Sequence, residues 1–162
     1  MTAPANWTWA DGPIDGGNAA VIDVDGVISD AWHRQHFLDR TPRDWRSFFA
    51  ACVDDEPIDS LLTLVRMLDP GLTRVLLTAR PHWVLTDTLD WLRRHGVDWH
   101  LLILRGRGDG GLTSSQYKRR SLLELADHGF DLVVGLDDDI RNIEVLRDVG
   151  VPAVYIHSGY YD

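Results

Sequence analysis

Residues 19–22 read Ala-Ala-Val-Ile and run without a break into Asp23-Val24-Asp25-Gly26. A short apolar run with no polar alternation belongs to a strand buried on both faces, so two acids stand where a core strand ends. Side chains alternate along extended backbone, which sends Asp23 and Asp25 to the same side, their carboxylates only a few ångströms apart. Two such charges ionise together only where a cation lies between them or one of them keeps its proton. Gly26, lacking a Cβ, lets the chain turn sharply at that point. On its own the pattern is equally well read as a polar cap on a strand end.

The arrangement recurs along the chain. Arg74-Val75-Leu76-Leu77-Thr78 is a second buried strand, ending in Thr78-Ala79-Arg80, and His100-Leu101-Leu102-Ile103-Leu104 is a third, ending at Arg105. Leu132-Val133-Val134-Gly135-Leu136 is a fourth, ending in Asp137-Asp138-Asp139, and Ala153-Val154-Tyr155-Ile156 is a fifth. Helices are expected between them. Ile58, Leu61, Leu62, Val65 and Leu68 share one helical face after Pro57; Leu85, Leu89 and Leu92 share another after Pro81, and Gly96 stops that helix. A helix from about Ser114 to His128 carries Tyr117-Lys118-Arg119-Arg120 in its first turns, and Ile140, Ile143 and Leu146 mark one more. Residues 31–38 and 43–49 read as two brief helices close in sequence to the first acids. Residues 1–18, with Pro4, Gly12, Pro13, Gly16 and Gly17 and no apolar period, read as an N-terminal arm that Trp7 and Trp9 pin to the body. Residues 19–162 form a single domain, which suits a chain of 162 residues that is 44% hydrophobic.

Strands alternating with helices, each strand apolar throughout, predict an α/β fold with a parallel sheet covered on both faces. Asp23 and Asp25, Thr78 and Arg80, Arg105, and Asp137 and Asp138 then all stand at the carboxyl edge of one sheet, where open α/β sheets bind their ligands. The four acids Asp23, Asp25, Asp137 and Asp138 make an all-oxygen cluster suited to a hard divalent cation, Mg²⁺ first. Lys118, Arg80 and Arg105 are cations able to hold a substrate oxyanion. Metal, acids and cations together are the equipment of phosphoryl transfer. The glycines at 106, 108, 110 and 111 lack a lysine at the phosphate-loop offset and read as a plain loop.

Each residue also has a plainer reading. Thr78 could cap the helix that Pro81 opens, Lys118 could belong to a solvated basic run, and Asn142 reads as a brace for the loop at Asp137-Asp138. His33 and Arg34 either reach the substrate or lie on the surface. A single cysteine, Cys52, excludes an intramolecular disulfide. The absence of a basic-then-apolar leader and of any apolar run near 18 residues predicts a cytoplasmic protein with no membrane partner. The net charge of −9 argues against a surface built to neutralise many phosphates, though not against a small basic pocket.

DVDGV at 23–27, Thr78 after an apolar strand, Lys118 early in a helix, and Asp137-Asp138 with Asn142 after a fourth strand resemble the four ordered motifs of the haloacid dehalogenase (HAD) superfamily of phosphatases. LLTARP, the arginine ending the third strand and the segment from Gly135 to Asp162 are most similar to the 3′-phosphatase domain of bacteriophage polynucleotide kinase/phosphatase. The resemblance implies a three-layer Rossmann-like fold, with no room here for a large cap. It implies that Asp23 is the nucleophile, that Asp25 protonates the leaving alcohol and then activates water, and that the charge of Asp23 keeps the proton on Asp25. Thr78 would hydrogen-bond the phosphate and Lys118 would offset its charge, with Arg80, Arg105 and Arg34 on the substrate side. Mg²⁺ would be held by Asp23, the backbone carbonyl of Asp25, and Asp137, with Asp138 close by. The implied substrate is a nucleotide or nucleic-acid end, or another phosphorylated small molecule, and an end-healing role would call for a separate kinase or ligase partner. A non-catalytic binding or regulatory domain on the same fold, and a phosphatase for small non-nucleotide metabolites, are the alternatives. A receiver domain fails on the order of its acids.

Overall fold

A computed structural model describes residues 3–161. Its centre is a six-stranded sheet built from β1 (Trp7–Trp9), β2 (Gly17–Ile22), β5 (Thr73–Pro81), β6 (Leu101–Arg105), β7 (Phe130–Asp137) and β8 (Ala153–Tyr155). The spatial order is β1-β6-β5-β2-β7-β8, and every pairing is parallel except that of β1 with β6. Five helices accompany the sheet: α1 (Trp45–Ala50), α2 (Asp59–Met67), α3 (Leu85–Arg94), α4 (Ser114–Asp127) and α5 (Ile140–Asp148). A separate two-stranded ladder pairs β3 (Ser29–Asp30) with β4 (Glu56–Pro57) and closes off the excursion between them. No helix among the described residues is long and apolar enough to cross a membrane.

The alternation of side chains along β2 divides the core. Ala19 and Val21 face one layer with Tyr117, Leu122 and Leu125 of α4 and Ile143 and Leu146 of α5. Ile22 faces the other, with Leu62 and Val65 of α2 and Trp91 and Leu92 of α3. The sheet is thus covered on both faces, as its uniformly apolar strands require.

The structure differs from the sequence reading at three places. Within the expected arm, Trp7–Trp9 forms a strand that extends the sheet antiparallel to β6, because a chain entering from outside the βα alternation can approach an edge from either direction. Met1 and Thr2 lie outside the described residues. The helix expected straight after Pro81 begins with one 3₁₀ turn, His82–Val84, before α3 starts at Leu85. Residues 32–37 likewise form a 3₁₀ helix, a length that suits a segment anchored through buried Arg34 more than through apolar contacts.

The central strands align their ends. Ile22 is paired with Leu76 on one side and Leu136 on the other, and the Asp23 N–H donates to the Leu136 carbonyl at 2.9 Å. Asp23, the Thr78–Arg80 stretch and Asp137 therefore emerge together. Gly135 lets α5 lie close: a Cβ there would stand 2.6 and 2.8 Å from the two Cδ atoms of buried Leu146. Gly135→Ala should therefore push α5 outward and cost about 1–3 kcal/mol by overpacking, read from urea denaturation midpoints.

Candidate active site

Asp23 leaves β2 into a buried space it shares with Asp137, the last residue of β7, and Asp138 just after it. One carboxylate oxygen from each of the three lies within 4.8 Å of the others, and all three residues are buried. Lys118, on the first turns of α4, reaches between them, with Nζ 2.9 Å from Asp23 Oδ1 and 2.5 Å from Asp137 Oδ2. The helix that carries it is started by a capping box, in which Thr113 accepts from the Gln116 N–H and Gln116 accepts from the Thr113 N–H. Asn142 Nδ2 donates to Asp137 Oδ1 at 3.0 Å, and Ser115 Oγ donates to Asn142 Oδ1. Lys118 is thus a buried partner of two acids, not part of a solvated run, and Asn142 is the brace its position suggests.

Burial pushes the Asp23 carboxyl well above its usual range, with Asp137 and Asp138 adding repulsion that Lys118 only partly offsets. Burial likewise lifts Asp138 to about 7. Asp138 Oδ2 is buried without a hydrogen-bond partner among the described residues. Gly26 makes room for it, since a Cβ on Gly26 would stand 2.0 Å from that oxygen. Three buried carboxylates with one shared ammonium and one orphaned oxygen form a set that is short of positive charge, and its donors are all hard oxygens. The residues fit a hard metal cation.

Asp25 points elsewhere. Its Oδ1 accepts from Arg34 Nη2 at 2.5 Å and from Arg80 Nε and Nη2 at 3.0 and 2.6 Å. Burial alone would raise this carboxyl, but the Arg34 and Arg80 guanidiniums outweigh it and bring it down to about 2. This corrects the expectation that Asp23 keeps a proton on Asp25. β2 ends at Ile22, so strict alternation does not extend to residue 25, and the two acids enter different surroundings. Nor does the Asp25 side chain join Asp23, Asp137 and Asp138 in the cation-sized group.

Both arginines are fully buried, and both are anchored again by Asp55, which sequence reasoning missed. Arg34 Nε and Nη2 reach the two Asp55 oxygens at 2.8 and 2.7 Å, and Arg80 Nη2 reaches Oδ2 at 3.0 Å. Ser29 Oγ donates to the same Oδ2, Arg80 Nη1 donates to Thr88 Oγ1, and the Trp91 indole N–H holds the Asp55 carbonyl at 2.8 Å. His33 Nε2 meets Asp55 Oδ1 at 2.9 Å from the surface side. Nothing about Asp55 in the sequence sets it apart from Asp54 beside it, since its role depends on the β3–β4 ladder bringing it back under Arg34.

The remaining candidates divide. Thr78 is buried at the edge, and its Oγ1 accepts the Arg80 N–H at 3.2 Å; it caps no helix, because α3 starts at Leu85. Arg105 is not brought into the group. Its Nη1 donates to the Leu112 carbonyl and its guanidinium lies over the Tyr117 ring, so it staples the glycine loop to α4. Tyr160, from the tail after β8, stands at the mouth: its hydroxyl donates to Asp30 Oδ1 and accepts the Ala31 N–H, both at 2.7 Å. Removing Asp55 leaves two buried guanidiniums sharing one carboxylate. Asp55→Asn should therefore destabilise the protein by about 3–5 kcal/mol, against about 1 kcal/mol for a surface acid such as Asp90, measured by denaturant titration.

No family model and no curated protein matches the sequence. Solved structures do. A chain of the Pnkp1/Rnl/Hen1 RNA repair complex superposes with a TM-score of 0.70 at 19% identity, covering 96% of this chain and 47% of that one. A second structure of that complex gives a TM-score of 0.73 at 18% identity over 96% and 51%. The class C acid phosphatase from Bacillus anthracis gives 0.62 at 16% identity over 91% and 69%. The chain spans about half the length of the Pnkp1-complex chains it matches. A HAD-like protein from Mesorhizobium loti matches over 90% of this chain at a TM-score of 0.58. By topology and by these likenesses, the chain has the haloacid dehalogenase fold, without a large cap.

Proposed function

We propose that the chain is a Mg²⁺-dependent phosphomonoester hydrolase that works through an aspartyl-phosphate on Asp23 and acts on a nucleotide or polynucleotide 3′-phosphate. The observation that carries the reading is the division of labour between two acids two residues apart. Asp23 sits in a cation-ready cluster with Lys118, whereas Asp25 sits against two guanidiniums.

Asp23, Asp137 and Asp138 would hold the ion, with the Asp25 carbonyl completing the protein's share, and the ion would neutralise charge on the phosphoryl oxygens. An Asp23 oxygen attacks phosphorus, and the bond from phosphorus to the ester oxygen breaks. Asp25, ionised against the two arginines in the free site, would first take up a proton from solvent as the incoming phosphate draws those arginines away, and would then give that proton to the departing alkoxide. Water then attacks the phosphorus, Asp25 takes the water's proton, and the bond from phosphorus to Asp23 breaks, which frees inorganic phosphate and restores the carboxylate. Lys118 holds the attacking oxygen's partner in place and offsets charge through both steps. Thr78, whose oxygen already accepts from Arg80, would donate its hydroxyl hydrogen to a phosphate oxygen.

Arg34 and Arg80 have a double part in this scheme. A phosphate entering beside Asp25 competes for their N–H groups, and each contact handed to the phosphate frees the Asp25 carboxylate to carry the proton the leaving group needs. Arg105 has no part in it. The likeness to a chain of an RNA repair complex supports a nucleic-acid end as substrate, with a separate kinase or ligase partner completing the repair. A cytoplasmic location belongs to the same proposal; among the described residues no helix is long and apolar enough to cross a membrane.

With p-nitrophenyl phosphate, hydrolysis should require Mg²⁺, stop on chelation and return on adding the ion back. Asp23→Asn should remove turnover entirely, and trapping with a fluoride mimic of phosphate should fail in the same variant; turnover retained by Asp23→Asn would end the proposal. Mg²⁺ should also raise the melting temperature of the protein, and Asp138→Ala should reduce that rise and increase the Mg²⁺ needed for half-maximal rate about tenfold or more.

A further inference from the structure

The segment that follows β8 stays on the molecule. The Ile156 N–H donates to the Asp137 carbonyl at 2.9 Å, which carries the chain on past the carboxyl end of β7 and toward the acids that stand there. Gly159, at φ +79°, then turns it back, and the Tyr160 N–H meets Ser158 Oγ at 3.3 Å inside that turn. Tyr160 is thereby directed to a part of the chain 130 residues earlier.

Its hydroxyl is used twice there. It donates to Asp30 Oδ1 and accepts the Ala31 N–H, and Asp30 Oδ1 also accepts the Trp32 N–H at 2.8 Å. These N–H groups stand at the start of the 3₁₀ helix Trp32–Phe37, where a helix has no carbonyls of its own to offer them. The helix passes the hold on to Arg34 in one step. The Ala31 carbonyl, on the same residue whose N–H Tyr160 accepts, itself accepts the Arg34 N–H at 3.3 Å. From that backbone the Arg34 side chain runs inward, fully buried, to Asp25 Oδ1 and to both oxygens of Asp55. Asp55 fixes where the guanidinium ends, and Tyr160 fixes where the side chain begins. A planar fork aimed at one carboxylate oxygen needs both, since a shift of the backbone is passed along the side chain to its far end.

A second contact reaches Asp25 through its neighbour. The Tyr160 ring lies 3.1 Å from where a Gly26 Cβ would stand, beside the Asp138 carboxyl that occupies the same point. The turn after Asp25 is packed against both, with the Gly26 N–H closed onto the Ser29 carbonyl. Trp32 flanks the arrangement, its ring 6.3 Å from that of Tyr160 and inclined at 30°.

We propose that Tyr160 is a positioning residue, which sets Arg34 and the turn after Asp25 in the geometry the reaction needs without touching the reacting atoms. The inference rests on the phosphatase reading for what Asp25 and Arg34 do, and adds to it a residue far along the chain. A pin for the C-terminal segment alone would not call for a hydroxyl spent on the two residues that lead into Arg34. Nor is the hydroxyl set out for a substrate: its one hydrogen is donated to Asp30, so it has none left to offer a phosphate.

The test compares the full-length wild type with Tyr160→Phe, which keeps the ring against Gly26 and removes only the hydroxyl. In the protein without metal or substrate, the readout is the Nε–H resonances of buried Arg34 and Arg80, the first assigned by its loss in Arg34→Lys. Tyr160→Phe should move the Arg34 signal and leave that of Arg80 nearly in place. With p-nitrophenyl phosphate and Mg²⁺, kcat should fall about tenfold while KM changes less than about twofold, since Asp25 passes its proton only in the transition state. In the Arg34→Lys background the same substitution should cost less than about twofold, because the two residues lie on one path. Asp30→Ala should reproduce the loss, and Asp30→Asn, whose amide oxygen still accepts from Trp32 and Tyr160, should restore at least about half of the wild-type kcat.

An Arg34 resonance that does not move in Tyr160→Phe would overturn the proposal. So would a rise in KM with kcat level, which would make Tyr160 a substrate contact, or an undiminished penalty in the Arg34→Lys background, which would place its action elsewhere. A wild type that hydrolyses no phosphate ester, with the Arg34 signal still tied to the Tyr160 hydroxyl, would end the phosphatase reading while upholding the link from Tyr160 to Arg34.

Discussion

Two guanidiniums with no access to water hold the polar edge of the sheet together. Arg34 and Arg80 arrive from different parts of the chain, one from a 3₁₀ helix after the first acids and the other from the end of β5, and neither could be buried alone. Asp25 and Asp55 supply the compensating charge, and because both arginines contact both acids, the four side chains are fixed as a unit. That unit ties the sheet edge to the β3–β4 excursion. It also explains why a segment with as few apolar contacts as residues 32–37 keeps a definite position.

The neighbouring cluster is built on the opposite principle. There the acids outnumber the cations, since Asp23, Asp137 and Asp138 face only Lys118, whose own burial cost is outweighed by Asp137 and Asp23 and whose proton is held more tightly than usual. One half of the edge is close to neutral and closed, and the other is anionic and incomplete. A bound cation and a phosphate together carry charges that would complete both halves: the ion offsets the excess of carboxylates, and the phosphate draws on the arginines. On the proposed function, the edge is preorganised for charge that it does not itself contain, which is how such sites avoid rearrangement during a reaction.

Much of this was legible in the sequence because the strands are apolar from end to end and stop abruptly. Four runs ending in Asp23, Thr78, Arg105 and Asp137 are sufficient to place a parallel sheet and its polar edge. What was not legible depends on distance in the chain. Asp55 is one acid in the sequence Asp54-Asp55-Glu56, and only the pairing of β3 with β4 selects it. Arg105 looked equivalent to Arg80, since each ends a strand, but Leu112 and Tyr117 turn it toward the glycine loop while Ser29 and Asp55 turn Arg80 inward. A strand-end position identifies which residues reach the edge, not the direction each side chain takes from it. The edge strand at Trp7–Trp9 escaped for a related reason, because three residues are too few to establish a period.

The same limit bears on how the two acids of the first motif come to differ. Simple alternation would leave Asp23 and Asp25 as equals competing for one proton. The strand instead ends at Ile22, the chain turns at Gly26, and the Gly26 N–H closes onto the Ser29 carbonyl at 2.8 Å, which swings residue 25 toward the excursion. The surroundings, not the residue type, then set the two acids apart: Asp23 lies among like charges beside Lys118, and Asp25 lies against two guanidiniums. A cap domain is one way to shield such chemistry from water. Here the shielding near Asp25 comes from Phe48 over Arg34 and from Trp91 beneath Asp55, and the side toward Tyr160 and Trp32 remains open.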